Sequence, residues 1–459
     1  MLFTNGRVVN GIIYYLFTIA ELPATVVYFI SYASALFFLT LSICVYGHIL
    51  YKVIKNTFLS AFLAFIIIVN PFSIEYFLFI EKGLFFCAIF LCTLASYFTI
   101  RFFNTNSPKY LLDTLIALIF AVFMYQISLG LYVILCLPFV ISASTLPTEE
   151  ANNNRFLKPL TIFIKRNIIL ALMYGLVLGS AYFVTDTLFK SERVTSRNSF
   201  SFRVFPVLSN LIKINKDPYY HLPNNYLLLL YLLIFIYIVV VFIHSKKTYQ
   251  KVFLFFSLLY VTIGTTLISL APFILGVTND YACRTIYPFG AIWGIMIATV
   301  LKCSSYGITS AEEKTASKRR LYYVFAILLF SISVNYILFR GVFIDRYKSN
   351  QTDKYICQMV GERIKEYEEE TGKKITTICF YKDQSLTWGI DGAFQNGLLD
   401  RAHAIGWSRL DSINYYLASN YAEGNPSEKY KQYFLEYNWN FYSDRQLIFE
   451  GDTLHFCVY

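Results

Sequence analysis

The sequence predicts an α-helical polytopic membrane protein of about ten transmembrane helices, followed by a small C-terminal α/β domain outside the cytoplasm. Three observations predict it. The chain of 459 residues is 56% hydrophobic, 19% aromatic and only 15% charged, against roughly 25% charged for an ordinary soluble domain. The run YLLLLYLLIFIYIVVVFIH holds no acid or base before its final His244, which is the length and purity of a bilayer-spanning helix. From Asp345 to Tyr459 there are 17 acids and 13 bases, net −4, whereas residues 1–344 carry 12 acids and 26 bases, net +14, so a basic membrane part precedes a tail of different character. Collagen-like, disordered and disulfide-scaffold classes are excluded by sparse Gly (21) and Pro (12) and by nine Cys in so long a chain.

In chain order, residues 1–23 form an outer-face juxtamembrane segment. The membrane domain covers 24–341, with apolar runs near 24–50, 58–80, 83–100, 110–145, 168–188, 225–244, 252–276, 285–301 and 321–340. The run 110–145 is too long for one span and holds a polar break at Tyr125-Gln126, so it counts as two. Lys52, Lys55, Arg101, Lys109, the segment 155–166, Lys246–Lys251, Lys302 and 314–320 all fall on one side when the runs are threaded in order, and that side is the cytoplasm by the excess of Lys and Arg in short loops. The loop 189–224 lies on the outside although it is basic. Residues 342–459 are a periplasmic α/β domain. A charged helical stretch 351–370 stops at Thr371-Gly372, ITTICFY (375–381) is a strand pattern, and QLIFE-GD-TLHFCVY is a hairpin pattern turning at Gly451-Asp452. Cys357, Cys379 and Cys457 in this domain allow one disulfide or three buried thiols.

No nucleophile motif, Walker sequence, GxGxxG or CxxC pair occurs, and the five His are scattered without ligand spacing. The sequence therefore calls for no metal and no cofactor. The basic residues flank membrane spans, so membrane lipids are the expected contacts and nucleic acid is not. Five acids of the membrane part, Glu21, Glu75, Glu81, Asp186 and Asp280, fall at the outer membrane-water boundary on this threading. A carboxylate at that depth needs a partner or a water-filled cavity, unless it simply marks a helix end. Arg7, Lys82 and Arg284 provide cations at the same level, and together the two signs suit a site that grips a lipid phosphate and carries an acid or base for group transfer.

Asn5-Gly6-Arg7 with the amphipathic stretch after it, NPFSIEYFLFIEK (70–82) and MYQISLGLYVIL (124–135) resemble the membrane glucosyltransferases of bacteriophage-type serotype conversion, which modify O-antigen. The resemblance runs in order over most of the chain, and such proteins are similar to the GT-C class of glycosyltransferases. It implies a polyprenyl-phosphate-linked sugar donor, glucose first among the sugars, a lipid-linked glycan acceptor, and an active site on the outer face of the bacterial inner membrane. It places Glu75 in an Asn-Pro-x-x-x-Glu motif and Tyr125-Gln126 in a Tyr-Gln motif, while Glu81 departs from the Asp the family has nearby. Glu75, Glu81 and Glu21 are thus the expected catalytic carboxylates, and Arg7, Lys82, Tyr125, Gln126, Asp280 and Arg284 the expected substrate-binding residues. Family members have a helix and an acidic loop before Asn-Gly-Arg, so residues 1–23 read as the remainder of a longer outer loop. An O-antigen polymerase and a lipid-linked glycan flippase or transporter are the competing readings.

A reporter active only outside the cytoplasm is expected to be on when fused after Tyr459 and off when fused after Lys314. The reverse pattern would invert every placement above.

Overall fold

The computed structural model describes residues 7–141, 154–189, 222, 225–245, 248–274, 283–305, 311–382, 408–437 and 442–458. The 189–224 loop, apart from its described ends, and Asp280 lie outside them, and so does the side chain of Asp186. The described chain forms two compact units, which divide the sequence within the last long helix at Tyr336/Ile337.

The first unit is helical: α1 Val8–Ile19, α2 Ala24–Ile54, α3 Thr57–Ile68, a 3₁₀ segment Pro71–Leu78, α4 Lys82–Thr105, α5 Lys109–Met124, a 3₁₀ turn Gln126–Ser128, and α6 Leu129–Val140. It continues with α7 Asn154–Phe189, α8 Tyr226–His244, α9 Thr248–Ile274, a 3₁₀ turn Cys283–Thr285, α10 Tyr287–Gly290, α11 Ile292–Ser305 and α12 Ala311–Thr371. Over their described residues the apolar runs are helical apart from the breaks given below, because a chain in lipid has to satisfy its backbone internally. Yet among the described residues only six helices are long and apolar enough to cross a membrane, or seven if a bent pair is one span, fewer than the ten expected. The difference has a geometric cause. The halves of the 110–145 run and the 285–301 run yield α5, α6 and α11, which are 16, 12 and 14 residues long, shorter than the roughly 20 residues a span needs.

Burial separates a centre from a periphery. In α4, 67% of the apolar window is buried, against 17% in α7. Tyr46 of α2 donates to the Leu135 carbonyl of α6 at 3.2 Å, and Ser96 of α4 donates to that of Tyr132 at 3.1 Å. Leu172, Leu176 and Phe183 stand exposed along α7, an apolar face suited to lipid.

The run 58–80 is not one helix. It breaks at Asn70-Pro71 with a 63° bend, as expected where proline removes an N–H and disfavours helical geometry in the preceding residue. The break strands carbonyls at the end of α3, and each finds a donor. Asn70 Nδ2 reaches Ile67 O at 3.3 Å, the Tyr287 hydroxyl reaches Ile68 O at 2.8 Å, and Asn335 Nδ2 reaches Val69 O at 2.9 Å. Asn70 Oδ1 meanwhile caps the 3₁₀ segment by accepting from Phe72 N at 3.0 Å. Gly290 leaves space for this, since a Cβ there would stand 2.2 Å from Asn70 Oδ1.

In the second unit α12 ends at Thr371, and Gly372 takes the left-handed φ of 68° that its stop requires. The sheet contains β1 Thr377–Tyr381, β2 Ala422–Glu423, β3 Leu447–Glu450 and β4 Thr453–Cys457 in the order β2-β1-β4-β3. Strand β1 runs parallel to β2 and β4, and β3-β4 is the antiparallel hairpin expected around Gly451-Asp452. Alternation along the strands gives two cores. Ile378, Phe380, Leu454 and Phe456 meet Ile356, Val360 and Ile364 of α12 and Ile413 of α13 (Arg409–Leu417). On the other face Cys379, Tyr381 and Cys457 meet Tyr430 and Phe434 of α14 (Glu428–Leu435). Cys357, Cys379 and Cys457 are buried and are not joined in a disulfide among the described residues. His455 beside Tyr381 has its pKa lowered by burial, against the pull of Glu450.

Asn335→Leu is expected to leave the Val69 carbonyl without a donor and to cost about 1–3 kcal/mol. Thermal unfolding of the purified protein checks this, and an unchanged midpoint would mean that the bent pair does not rely on Asn335.

Candidate functional site

Two ion pairs and an aromatic cluster meet where the 3₁₀ segment, the start of α4, the start of α1 and the Tyr125 break come together. The bend at Asn70-Pro71 turns Glu75 inward, where it is fully buried. One carboxylate oxygen pairs with the Arg284 guanidinium, and the other accepts from the Arg284 backbone N–H at 2.7 Å. The Tyr76 hydroxyl donates to the Arg284 carbonyl at 2.8 Å, and the guanidinium lies 5.3 Å from the Phe79 ring centre. Glu75 and Arg284, 209 residues apart, thereby tie the 3₁₀ segment to the Cys283–Thr285 turn.

Glu81 precedes α4, and its Oε2 pairs with Arg7 at 2.9 Å. Its Oε1 is buried and makes no full hydrogen bond, with the Asn10 amide beside the carboxylate. Burial raises the Glu81 pKa above the usual carboxylate range, and Arg7 pulls it part of the way back. The Arg7 guanidinium lies over two rings, 5.4 Å from the centre of Phe85 and 5.3 Å from that of Tyr125. Helix α1 explains how the sequence brings Arg7 there. Its buried residues are Asn10 and Gly11, while Tyr15, Leu16 and Ile19 are exposed. The helix therefore turns a polar face toward the protein and an apolar face outward, as suits a helix in contact with lipid.

Tyr125 joins the two pairs. Its ring is edge-on to Tyr76 at 5.4 Å and tilted against Phe85 at 4.5 Å, and Arg7, Glu75 and Arg284 all lie within its electrostatic reach. Its buried hydroxyl lies beside that of Tyr76, and the buried Asn10 amide lies beside the Glu81 carboxylate, neither contact closing to a full hydrogen bond. A buried polar group without a partner costs on the order of 1–3 kcal/mol. A concentration of incompletely paired groups beside one carboxylate is what a polar ligand would relieve.

Lys82 is fully buried and turns to another face of α4. Its ammonium lies 3.8 Å from the ring centre of Tyr28 and 3.7 Å from that of Tyr32, with no hydrogen-bond acceptor. Those rings, one turn apart on α2, hold it by cation–π attraction. Gln126 is exposed, although it adjoins Tyr125. Glu21 is exposed at the α1–α2 turn in a left-handed conformation with φ of 49° and joins neither ion pair. The structure thus brings Arg7, Glu75, Glu81, Tyr125 and Arg284 together and leaves Glu21 apart.

Asn10, Tyr76 and Phe85 were not singled out by the sequence. For Asn10 a signal existed, since it stands three residues after Arg7, a spacing that puts the two on one face of a helix. Tyr76 and Phe85 offered none in a chain with 38 Tyr and 44 Phe. No protein-family model matches the chain, and no curated protein matches it.

Replacing Arg284 by Met leaves the Glu75 carboxylate buried without its counter-charge, which is expected to cost about 3–5 kcal/mol. Adding Glu75→Gln to the same chain should recover part of the loss. A thermal double-mutant cycle checks this, and losses that simply add would show that the two residues act independently.

Proposed function

We propose that the chain is a membrane glycosyltransferase that moves a sugar, glucose first among the candidates, from a polyprenyl-phosphate carrier to O-antigen or another envelope glycan on the periplasmic face of the bacterial inner membrane. The observation that carries this reading is Glu81. One oxygen is held by Arg7 at 2.9 Å, while the other is buried without a full hydrogen bond, the Asn10 amide lying beside the carboxylate, so the carboxylate is oriented and still has a basic lone pair to offer. Its raised pKa favours proton uptake from a hydroxyl.

In the proposed reaction the acceptor hydroxyl gives its proton to Glu81 as its oxygen bonds to the anomeric carbon. The bond from that carbon to the phosphate oxygen breaks, and the polyprenyl phosphate leaves with the electron pair. Negative charge grows on the phosphate in the transition state, where the forked Arg7 guanidinium is suited to receive it. Glu75 is given a positioning role, because Arg284 occupies both of its oxygens. This ordering places Glu81 ahead of Glu75 and Glu21 as the base.

Membranes containing the protein are expected to transfer radiolabel from polyprenyl-phosphate glucose to a lipid-linked glycan. Glu81→Gln should lower the rate at least about a hundredfold at unchanged protein level. The base has to be ionised, so the wild-type rate should rise with pH through a midpoint above the ordinary Glu value of 4.5. Label transfer that survives Glu81→Gln would remove Glu81 from the chemistry. Glycan translocation without any label transfer would favour a transporter.

A further inference from the structure

The opposite end of α4 carries a second concentration of charge that the proposed reaction does not use. Arg101 lies nineteen residues after Lys82, about 28 Å along a helix and close to the thickness of a bilayer's hydrocarbon core. A cavity of about 370 Å³ opens there, lined by Lys52 of α2, Tyr97 and Arg101 of α4, Arg166 of α7 and Lys302 of α11, among others. Among the described lining residues there are four cations and no carboxylate.

Two of these cations have a structural task. Lys302 donates to the carbonyls of Pro138 at 2.7 Å and Ile141 at 2.5 Å. Arg166 donates to Phe139 and Val140 at 3.2 and 3.1 Å and to Phe103 at 3.2 Å. They close the carbonyl ends of α6 and α4, where positive charge is favoured. The other two are not explained this way. Lys52 and Arg101 both meet the Tyr97 ring, their charged ends 5.5 and 5.6 Å from its centre, and Arg101 Nε donates to the Tyr97 hydroxyl at 3.2 Å. The terminal guanidinium nitrogens of Arg101 and the ammonium of Lys52 make no hydrogen bond to the described protein and are held in place by one ring.

We propose that this cavity binds the phosphate group of an anionic ligand, with Lys52 and Arg101 gripping the phosphate oxygens and the Lys302–Arg166 floor providing the field beneath them. Lys52 and Arg101 stand as like charges around one ring, and a phosphate relieves the repulsion between them while using their donors. The volume lies within the range of small-ligand sites. Basic pockets between membrane helices are also where anionic headgroups are held. The phosphate belongs either to a lipid or to a soluble compound, and the chemistry of recognition is the same for both.

The test uses the purified full-length protein. Retention of phosphatidylglycerol against phosphatidylcholine is read by native mass spectrometry, and the shift in thermal midpoint is read with inorganic pyrophosphate. The wild type should prefer phosphatidylglycerol, or be stabilised by pyrophosphate, and the responding probe identifies the source. Lys52→Ala with Arg101→Ala should weaken that response at least about tenfold, the loss of one to two charge-assisted contacts. Lys109→Ala, an exposed basic residue outside the cavity lining, should leave it unchanged. No response of the wild type to either probe would overturn the proposal, as would equal weakening by Lys109→Ala or a double variant that binds as the wild type does.

Discussion

A chain broken inside a membrane has to satisfy the backbone groups that the break releases, and the structure of the first unit follows from how it does so at Asn70-Pro71. The three stranded carbonyls take their donors from Asn70, Tyr287 and Asn335, residues that enter from separate parts of the chain. Two distant segments are thereby bound to the bend, and each brings something with it. The segment before Tyr287 brings Arg284 to Glu75. Without the bend Glu75 would continue along α3, and neither the Glu75–Arg284 pair nor the Tyr76 contact to the Arg284 carbonyl would form. Position and chemistry are linked here by hydrogen-bond accounting more than by apolar contact, because lipid competes for apolar contacts and cannot compete for carbonyls.

The two carboxylates differ in how they are neutralised, and that difference separates support from reactivity. Glu75 has both oxygens engaged by one arginine and is fully buried, the arrangement of a rigid strut. Glu81 has one oxygen engaged and one without a full hydrogen bond. Burial raises its proton affinity, and Arg7 limits the rise. Around it the Asn10 amide and the Tyr125 hydroxyl are buried beside Glu81 and Tyr76 in contacts that fall short of full hydrogen bonds. The second charged region, at the far end of α4, is organised differently. The charged residues of its described lining are all cations, so the two proposals assign acid-base chemistry to one end of a central helix and anion capture to the other.

Much of the fold was legible because lipid imposes simple rules. Long apolar runs had to become helices, and the polar break at Tyr125-Gln126 and the stop at Thr371-Gly372 appear where the sequence puts them. The hairpin at Gly451-Asp452 was legible for a local reason, a two-residue turn between β-rich runs. What the sequence did not reveal is non-local or depends on direction. Hydropathy reports how apolar a segment is and not how far its helix reaches, so the short α5, α6 and α11 counted as full crossings. The candidate acids and bases were visible, but their pairing was not. Arg7 with Glu81 and Arg284 with Glu75 are matched across 74 and 209 residues, and nothing local distinguishes those partners from Lys82, which goes to Tyr28 and Tyr32 instead.

The central proposal is that the phosphate-linked sugar is bound beside Asn10, Glu81 and Tyr125. The most direct measurement is a cryo-electron microscopy structure of the full-length protein in a nanodisc with a non-hydrolysable polyprenyl-phosphate sugar. The account predicts ligand density within hydrogen-bond distance of Glu81 Oε1 and of the Asn10 amide, with the phosphate on the Arg7 side. Donor density held elsewhere, with the Arg7–Glu81 pair closed and no ligand atom near either residue, would contradict it.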